Sequence, residues 1–544
     1  MRTPSRRLVV AVAAAMLGAL AVAAPSGAAP TPNQPAPATD PATCAPDPAK
    51  PKRQLRAFWL ASVVNIDWPS RPGLDAETLK AEYRTWLDLA ELHKHNAIFV
   101  QIRPNADAFW PSPYEPWSEW LTGTRDNASP GWDPLAFAVE EAHKRNIEFH
   151  AWFNPYRASM PQGAGPNIDQ LAPGHPLRQH PEWAVTYPVN AAGSRLYYNP
   201  GIPEVRSFVQ TAIMDAVNKY DIDGVHFDDY FYPYPAAGQD FADDATFAQY
   251  GGGFASKADW RRDNVNKLVQ ELNAKIKAAK SWVKFGISPF GIWRNKATDP
   301  TGSDTNGLQS YDAIYADTKL WVRQEWIDYI VPQVYWNIGF TVADYAKLVP
   351  WWSDVVAGTK VQLYIGQADY KIGTTGVWLE PEEMSRHLTF NRGYNVHGNV
   401  HFSAKDVKAD RLNGVTLYRT EHYAQPALVP VMAHLPSRPL LFPVVTRAAR
   451  TADGTALTWR NLWSGWPFGD VASYAVYRFD GLTFPGACGF ADASHLIGTL
   501  RATPGRDQTW VDRTAEPGRT YTYYVTALDR IWNESNPSPP RPVL

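Results

Sequence analysis

The chain has 544 residues but only two cysteines, Cys44 and Cys488, and no excess of basic residues. Its 52 lysines and arginines stand against 54 acidic residues, for a formal net charge of −2. This balance argues against a nucleic-acid-binding protein, which normally carries a basic domain or stripe. Two cysteines in this pattern cannot build a cysteine zinc site. In an oxidising compartment they could pair, which would join an N-terminal segment to the C-terminal region.

Long apolar runs are also scarce. The one clear run, residues 8–24, follows Arg2, Arg6 and Arg7 and precedes the small residues Ser26, Gly27 and Ala28. This order is typical of a signal peptide, so we predict a signal peptide over 1–28 and an exported protein, either secreted or associated with the cell envelope. No other run reaches the roughly 18 residues of a membrane helix. No cysteine follows the apolar run closely, which argues against a lipid anchor.

Aromatic residues are abundant, with 23 Trp, 26 Tyr and 22 Phe making up 13% of the chain. Flat aromatic faces stack on the apolar faces of sugar rings, so this composition fits a carbohydrate cleft. It fits a large aromatic core equally well, because each of these side chains buries much apolar area. Composition alone leaves both interpretations open.

The order of apolar segments predicts the architecture. Residues 29–52 are rich in Pro, Ala and Thr and are predicted to be a linker. From residue 53 to 435, eight short apolar runs alternate with helix-patterned stretches, which indicates an α/β fold, a (β/α)8 TIM barrel. An open doubly wound sheet is less suitable because no Gly-rich phosphate loop follows the first strand. Residues 436–544 carry alternating short strands and predict a small all-β sandwich resembling fibronectin type III, a spacer or binding module.

Alternation along each strand predicts which side chains face the barrel lumen. The predicted strands are 56–63, 97–103, 148–154, 224–230, 285–290, 329–336, 361–366 and 399–403. Polar residues of inward parity gather at the carboxyl ends of five strands: Arg103, Asn154, Asp228, Gln333 and Ser403. A buried polar group costs about 1–3 kcal/mol unless it is paired, so this convergence indicates a functional site at that end of the barrel.

Asp228 and Asp229 are the only carboxylates at the carboxyl end of a predicted barrel strand, and we predict them to be catalytic. Glycosidases commonly use two carboxylates on either side of the scissile bond. Neighbours on a regular strand point to opposite faces, so both can serve one site only if the strand ends between them. An adjacent acidic pair also suits hydrolysis assisted by the substrate's own acetamide. A conventional pair remains open, with its second member in a loop: Asp304, Glu182 or Asp369.

Other polar and aromatic residues near these strand ends are candidates for substrate binding: Arg103, Asn154, Tyr156, Arg157, His226, Tyr232, Trp293, Gln333, Tyr335 and Trp336. Arg103, Arg157 and Arg195 could hold an anionic group such as a lactyl carboxylate, because guanidinium binds carboxylate in a bidentate manner. His150 and His226 could bind a metal, but hydrogen bonding beneath the site is the preferred interpretation. We predict no metal and no cofactor.

Six segments of the chain resemble the bacterial glycosyl-hydrolase-like 10 family, in order, from about Arg53 to Arg419. They are RAFWLAS at 56–62, VQIRP at 100–104, AWFNPYR at 151–157, DGVHFDDYFYP at 223–233, ISPFGIWR at 287–294 and VPQVYW at 331–336. The resemblance implies a TIM barrel with glycosidase activity. It also implies action on cell-envelope glycans, since some members cleave peptidoglycan strands that lack stem peptides. Many members are lipoproteins, and this chain lacks their lipid-anchoring cysteine.

The sequence therefore predicts a secreted glycoside hydrolase acting on an N-acetylated envelope polysaccharide, such as peptidoglycan strands without stem peptides. The reaction would use Asp-based acid/base chemistry, with or without help from the substrate acetamide. The alternative is a non-catalytic glycan-binding protein that uses the barrel cleft and the sandwich module.

Overall fold

The computed structural model describes residues 47, 49–160, 167–190, 193–461 and 467–544. The predicted signal peptide over 1–28 and most of the predicted linker over 29–52 lie outside the described residues. Cys44 lies outside them too, so the question of its pairing with Cys488, which the sequence leaves open, is not tested. In the described part of the chain, no helix combines the length and apolar character needed to span a membrane.

Eight parallel strands close into a barrel, each paired with its neighbours in chain order and the last paired with the first. The strands are β1 (Leu55–Leu60), β2 (Ala97–Arg103), β3 (Glu148–Phe153), β4 (Gly224–Phe227), β5 (Lys284–Ile287), β6 (Tyr329–Ile330), β7 (Gln362–Gln367) and β8 (Gly398–His401). The predicted (β/α)8 barrel is confirmed.

A principal helix follows each strand and covers the outside of the barrel. These helices are α1 (Ala76–Leu92), α2 (Pro134–Lys144), α3 (Pro203–Lys219), α4 (Lys257–Ala279), α5 (Thr318–Arg323), α6 (Tyr345–Val356), α7 (Glu383–Asn391) and α8 (Gly414–His422). Several begin at a side-chain cap: Asp75 Oδ1 accepts from Thr78 N at 3.0 Å, and Asp133 Oδ1 accepts from Ala136 N at 3.0 Å. Such caps satisfy amide groups that a helix start leaves without intrahelical partners.

Six of the eight strands end earlier than the sequence predicts, and β4, β5 and β6 are the three that shape the site. β4 stops at Phe227, β5 at Ile287 and β6 at Ile330, against predicted ends at 230, 290 and 336. In β5 and β6 a proline follows closely, Pro289 and Pro332, and proline has no N–H to donate to a neighbouring strand. The early end of β4 frees the backbone at Asp228 and Asp229, which positions the site described below.

Seven further strands lie in the C-terminal region and form two antiparallel sheets. One sheet contains Val444–Thr451, Gly454–Arg460 and Asp507–Asp512; the other contains Ser473–Asp480, Leu496–Arg501, Tyr521–Leu528 and Arg541–Val543. The predicted second, all-β part of the fold is confirmed, and its likeness to fibronectin type III stays a prediction. We refer to these two sheets and their connections as the C-terminal module.

The predicted parity holds for β3, for β4 and for Phe99 and Gln101 of β2. It is wrong for Arg103, which follows an irregularity in the β2–β3 register and aligns with the outward residue Phe153, and it is wrong for β8. Val400 packs with lumen residues and Phe402 lines the cavity described below. Asn399 and His401 point outward instead: Asn399 Oδ1 accepts from Asn391 Nδ2 of α7 at 2.8 Å, and His401 contacts Asp369 at 2.8 Å. The prediction assumed that the outer face must be apolar, whereas these polar groups are satisfied by one another.

Candidate active site

A cavity of about 310 Å³ opens at the carboxyl ends of the barrel strands. Its polar lining residues are Gln101, Arg157, Arg195, Asp228, Asp229, Ser288 and Gln333. Its aromatic lining residues are Trp59, Trp152, Tyr230, Tyr335, Tyr370 and Phe402. Among the described residues that line it, Asp228 and Asp229 are the two that carry a carboxylate.

Asp228 is buried and held by groups that can only donate hydrogen bonds. Asn154 Nδ2 lies 3.1 Å from both of its oxygens, and Trp152 Nε1 donates to Oδ2 at 3.1 Å. The backbone N–H of Tyr230 donates to Oδ1 at 3.2 Å. These contacts fix the orientation of the carboxylate and favour its ionised form.

Asp229 is also buried, but its neighbours differ. The hydroxyl of Tyr234 donates to Oδ2, and Gln333 lies within hydrogen-bonding reach of the carboxylate. Gln333 is itself held by a bond from Nε2 to the carbonyl oxygen of Ser288 at 2.9 Å. A tyrosine hydroxyl can either donate or accept, so this setting accommodates both protonation states of Asp229.

Burial raises the pKa of both carboxyl groups. For Asp228 the pKa rises to about 6, because burial and the charge of Asp229 outweigh the lowering effects of Arg157 and Asn154. For Asp229 the pKa is raised by burial, and the hydrogen bonds from Tyr234 and Gln333 oppose that rise. Shifts of this kind in a cleft are typical of catalytic acids.

Arg157 and Arg195 supply positive charge on the cavity wall. Arg157 is fixed, since its Nε donates to Asn105 Oδ1 at 2.9 Å and its Nη2 to the carbonyl oxygen of Pro104 at 3.1 Å. Its guanidinium carbon lies 5.0 Å from the ring centroid of Tyr230. The Nε of Arg195 is buried without a hydrogen-bond partner. Arg157 therefore lowers the pKa of both carboxyl groups, and the two arginines border the space that a substrate would occupy.

The aromatic wall was only partly predicted. Tyr335, a predicted binding residue, lines the cavity and stacks on Phe402 with ring centroids 6.1 Å apart. Trp59, Trp152 and Tyr370 also line it, although none was among the predicted binding residues. Strand parity could have identified Trp59 and Trp152 from the sequence, because each has the parity of the lumen-facing residues on its strand.

Arg103 does not line the cavity. Its Nε and Nη2 bind Glu115 at 2.6 and 2.5 Å, and both side chains are completely buried. Its Nη1 donates to the carbonyl oxygens of Asn154 and Pro155. All three guanidinium nitrogens thus donate hydrogen bonds to groups of the protein. Arg103 therefore stabilises the end of β3 and does not reach a ligand. The partner, Glu115, lies in a loop that strand parity does not address.

Four predicted aromatic binding residues lie elsewhere. Tyr156 and Tyr232 are buried in the core, and Trp293 donates through Nε1 to Asp317 Oδ1 at 3.0 Å. Trp336 packs against Phe290, with ring centroids 5.5 Å apart. None of the four is among the residues that line the cavity.

Two predicted polar residues, Asn154 and His226, are fully buried and lie behind the cavity wall rather than in it. Asn154 positions Asp228, as described above, and His226 contacts Trp59 and Ser288, which both line the cavity. The described residues include no group of three or more metal-ligating side chains suited to a metal ion.

The loop carboxylates considered as second catalytic groups are also outside the cavity. Asp304 is exposed and pairs with Lys347 at 2.6 Å, and Glu182 is exposed beside His180. Asp369 is buried behind the wall, where it contacts His401 at 2.8 Å and accepts from Tyr418 at 3.1 Å. The geometry therefore brings together Asp228 and Asp229 and none of these three.

The fold and the site define a (β/α)8 barrel protein with a paired-carboxylate cleft. The family model for glycosyl hydrolase-like 10 matches residues 54–384, and the chain belongs to this family. It is 48% identical over 495 residues to glycosyl hydrolase YngK of Bacillus subtilis, covering 90% of this chain and 93% of that protein. It is 37% identical over 450 residues to glycosyl hydrolase DigH of Escherichia coli K12, covering 80% and 97%.

Solved structures also align with part of this chain at low similarity. The catalytic domain of β-amylase from Paenibacillus polymyxa aligns with a TM-score of 0.41 and 12% identity, over 69% of this chain and 99% of that one. A likeness at this level says nothing about the substrate.

Proposed function

We propose that this protein is a glycoside hydrolase that acts, after export, on an N-acetylated cell-envelope glycan such as peptidoglycan strands without stem peptides. The observation that carries the proposal is the position of Asp228 and Asp229, two buried carboxylates side by side on one cavity wall. Membership of the glycosyl hydrolase-like 10 family and relatives named glycosyl hydrolases support it.

The hydrogen-bond partners favour different roles for the two groups. Asp228 faces donors on both oxygens, which supports a role as a carboxylate. A fixed carboxylate can accept the N–H of a substrate acetamide and hold the acetamide oxygen against the anomeric carbon. Asp229 can carry a proton beside Tyr234 and can give it to the departing oxygen.

The proposed reaction has two steps. In the first, the acetamide oxygen bonds to the anomeric carbon while the glycosidic bond breaks, and Asp229 protonates the leaving oxygen. In the second, Asp229 takes a proton from water, which attacks the anomeric carbon and breaks its bond to the acetamide oxygen. The outcome is retention of configuration, as in other substrate-assisted glycosidases. The absence of a further carboxylate among the described lining residues agrees with this scheme.

The direct test is incubation of the protein with peptidoglycan that an amidase has stripped of stem peptides, followed by chromatography of soluble products. Release of oligosaccharides that retain the configuration at the new reducing end would support the proposal. Saturable binding without turnover, surviving the Asp228→Asn change, would instead support a glycan-binding protein.

A further inference from the structure

The C-terminal module reaches into the floor of the barrel through one side chain. Trp532 lies in residues 529–534, which we call the docking loop, and is almost completely buried. Its Nε1 donates to Glu148 Oε1 of β3 at 2.7 Å. Glu148 begins β3, at the end of the barrel opposite the cavity.

The docking loop is tightly fixed on the barrel. Arg530 bonds to Asp221 at 2.6 Å and to Asp223 at 2.9 Å, just before β4. Trp532 itself has φ +68°, a backbone conformation that a bulky residue adopts only when its surroundings impose it. The contacts of the loop with the barrel therefore define where the indole lies.

A continuous chain of buried hydrogen bonds leads from Glu148 to the cavity. Glu148 Oε2 lies 3.0 Å from His150 Nε2, and His150 Nδ1 lies 2.9 Å from the hydroxyl of Tyr329. The same hydroxyl lies 3.3 Å from Nδ1 of His226. His226 Nε2 lies 3.1 Å from Nε1 of Trp59, which lines the cavity.

The direction of every bond in this chain follows from its two ends. Trp59 can only donate, so His226 Nε2 must accept and the proton of His226 must lie on Nδ1. His226 then donates to Tyr329, Tyr329 to His150 Nδ1, and His150 Nε2–H to Glu148. The Glu148 end of the chain is consistent with this direction, because Glu148 is a carboxylate and accepts. Burial raises the pKa of Glu148, but Lys284 and His150 bring it below its ordinary value.

We propose that Trp532 and the docking loop are positioning elements of the active site, which act through the Glu148–His150–Tyr329–His226 chain on Trp59 and Ser288 in the cavity wall. The C-terminal module is then an integral part of the catalytic unit. The effect of Trp532 on catalysis rests on the proposed function, whereas its effect on the orientation of His226 does not.

The test is a double-mutant cycle of Trp532→Phe and Tyr329→Phe in the full-length protein, read by kcat/KM on amidase-treated peptidoglycan. Each single change removes hydrogen bonds and keeps an aromatic ring. We expect each to lower kcat/KM by about three- to tenfold, the usual effect of one hydrogen bond. The double variant should lose no more than either single variant, because both interrupt one path. Additive losses would contradict the proposal.

A second readout is independent of turnover. In protein labelled with ¹⁵N-histidine, His226 should show the Nδ1–H tautomer, and Trp532→Phe should change its nitrogen shifts. The matched control is Trp459→Phe, because Trp459 is also buried in the module but its Nε1 has no hydrogen-bond partner. It should lower the melting temperature without changing kcat/KM or the His226 signals.

The outcomes separate the two proposals. If the wild-type protein does not hydrolyse glycan, the proposed function fails, and the His226 signals still decide the positioning role. If Trp532→Phe lowers only the melting temperature, leaving kcat/KM and His226 as in the wild type, the positioning role is overturned. Should Trp532→Phe not fold, Arg530→Gln loosens the docking loop while keeping the indole, and the same two readouts apply.

Discussion

The side-chain amide of Asn154 lies 3.1 Å from both carboxylate oxygens of Asp228 and thereby links the ends of two neighbouring barrel strands. Its own Oδ1 accepts a hydrogen bond from the backbone N–H of Arg157 at 2.9 Å. This contact identifies Oδ1 as the acceptor of the amide and leaves Nδ2 to donate to Asp228. Asn154 is therefore a positioning residue whose effect on Asp228 can be measured.

The first prediction concerns the pH dependence of hydrolysis. Asp228 must be ionised to hold the acetamide, and its pKa is about 6, so kcat/KM should fall as the pH drops through about 6. Asn154 lowers this pKa by hydrogen bonding. Asn154→Ala should raise it and move the acidic limb of the pH profile to higher pH. A profile that shifts to lower pH, or does not shift, would contradict the assigned role.

The second prediction concerns Arg103, a residue of protein stability rather than substrate binding. Arg103→Met leaves the buried Glu115 without its cationic partner, which should cost about 3–5 kcal/mol of unfolding free energy in urea titrations. Adding Glu115→Leu should recover a large part of that loss, because the uncompensated charge is removed. An unchanged unfolding midpoint together with a raised KM would show that Arg103 binds substrate instead.

The third prediction tests the participation of the acetamide. An N-acetylglucosamine-derived thiazoline mimics the cyclic intermediate and should inhibit hydrolysis competitively. Asp228→Asn should weaken this inhibitor's binding in calorimetry, because the neutral amide replaces the carboxylate that faces the ring nitrogen. Thiazoline that neither inhibits nor binds would exclude substrate assistance.

Much of the barrel could be predicted from the sequence because alternating strand and helix patterns reflect burial directly. The position of Asp228 and Asp229 also follows from a short motif at one strand end. The early end of β4 is harder to predict from the sequence, because it depends on how the segment after Phe227 packs. β4 ends at Phe227, before both aspartates rather than between them, and both side chains reach one cavity.

Pairing between distant residues explains the remaining differences. The sequence suggests that Arg103 binds a ligand. In the structure its guanidinium instead forms a buried ion pair with Glu115, from the following loop. His401 can point outward because Asp369 and Tyr423, which lie outside the barrel lumen, contact both of its ring nitrogens. Strand parity carries no information about such partners, because it assumes that polar groups face the lumen or solvent.

The central claim is that Asp229 supplies the proton for glycosidic bond cleavage, and Asp229→Asn tests it most directly. With amidase-treated peptidoglycan, we expect this variant to lose about 10²–10⁴-fold in kcat, the range for removal of a general acid. Its melting temperature should stay close to that of the wild type, and Asp304→Asn, a change in an exposed ion pair, should retain full activity. Undiminished product release by Asp229→Asn would contradict the account.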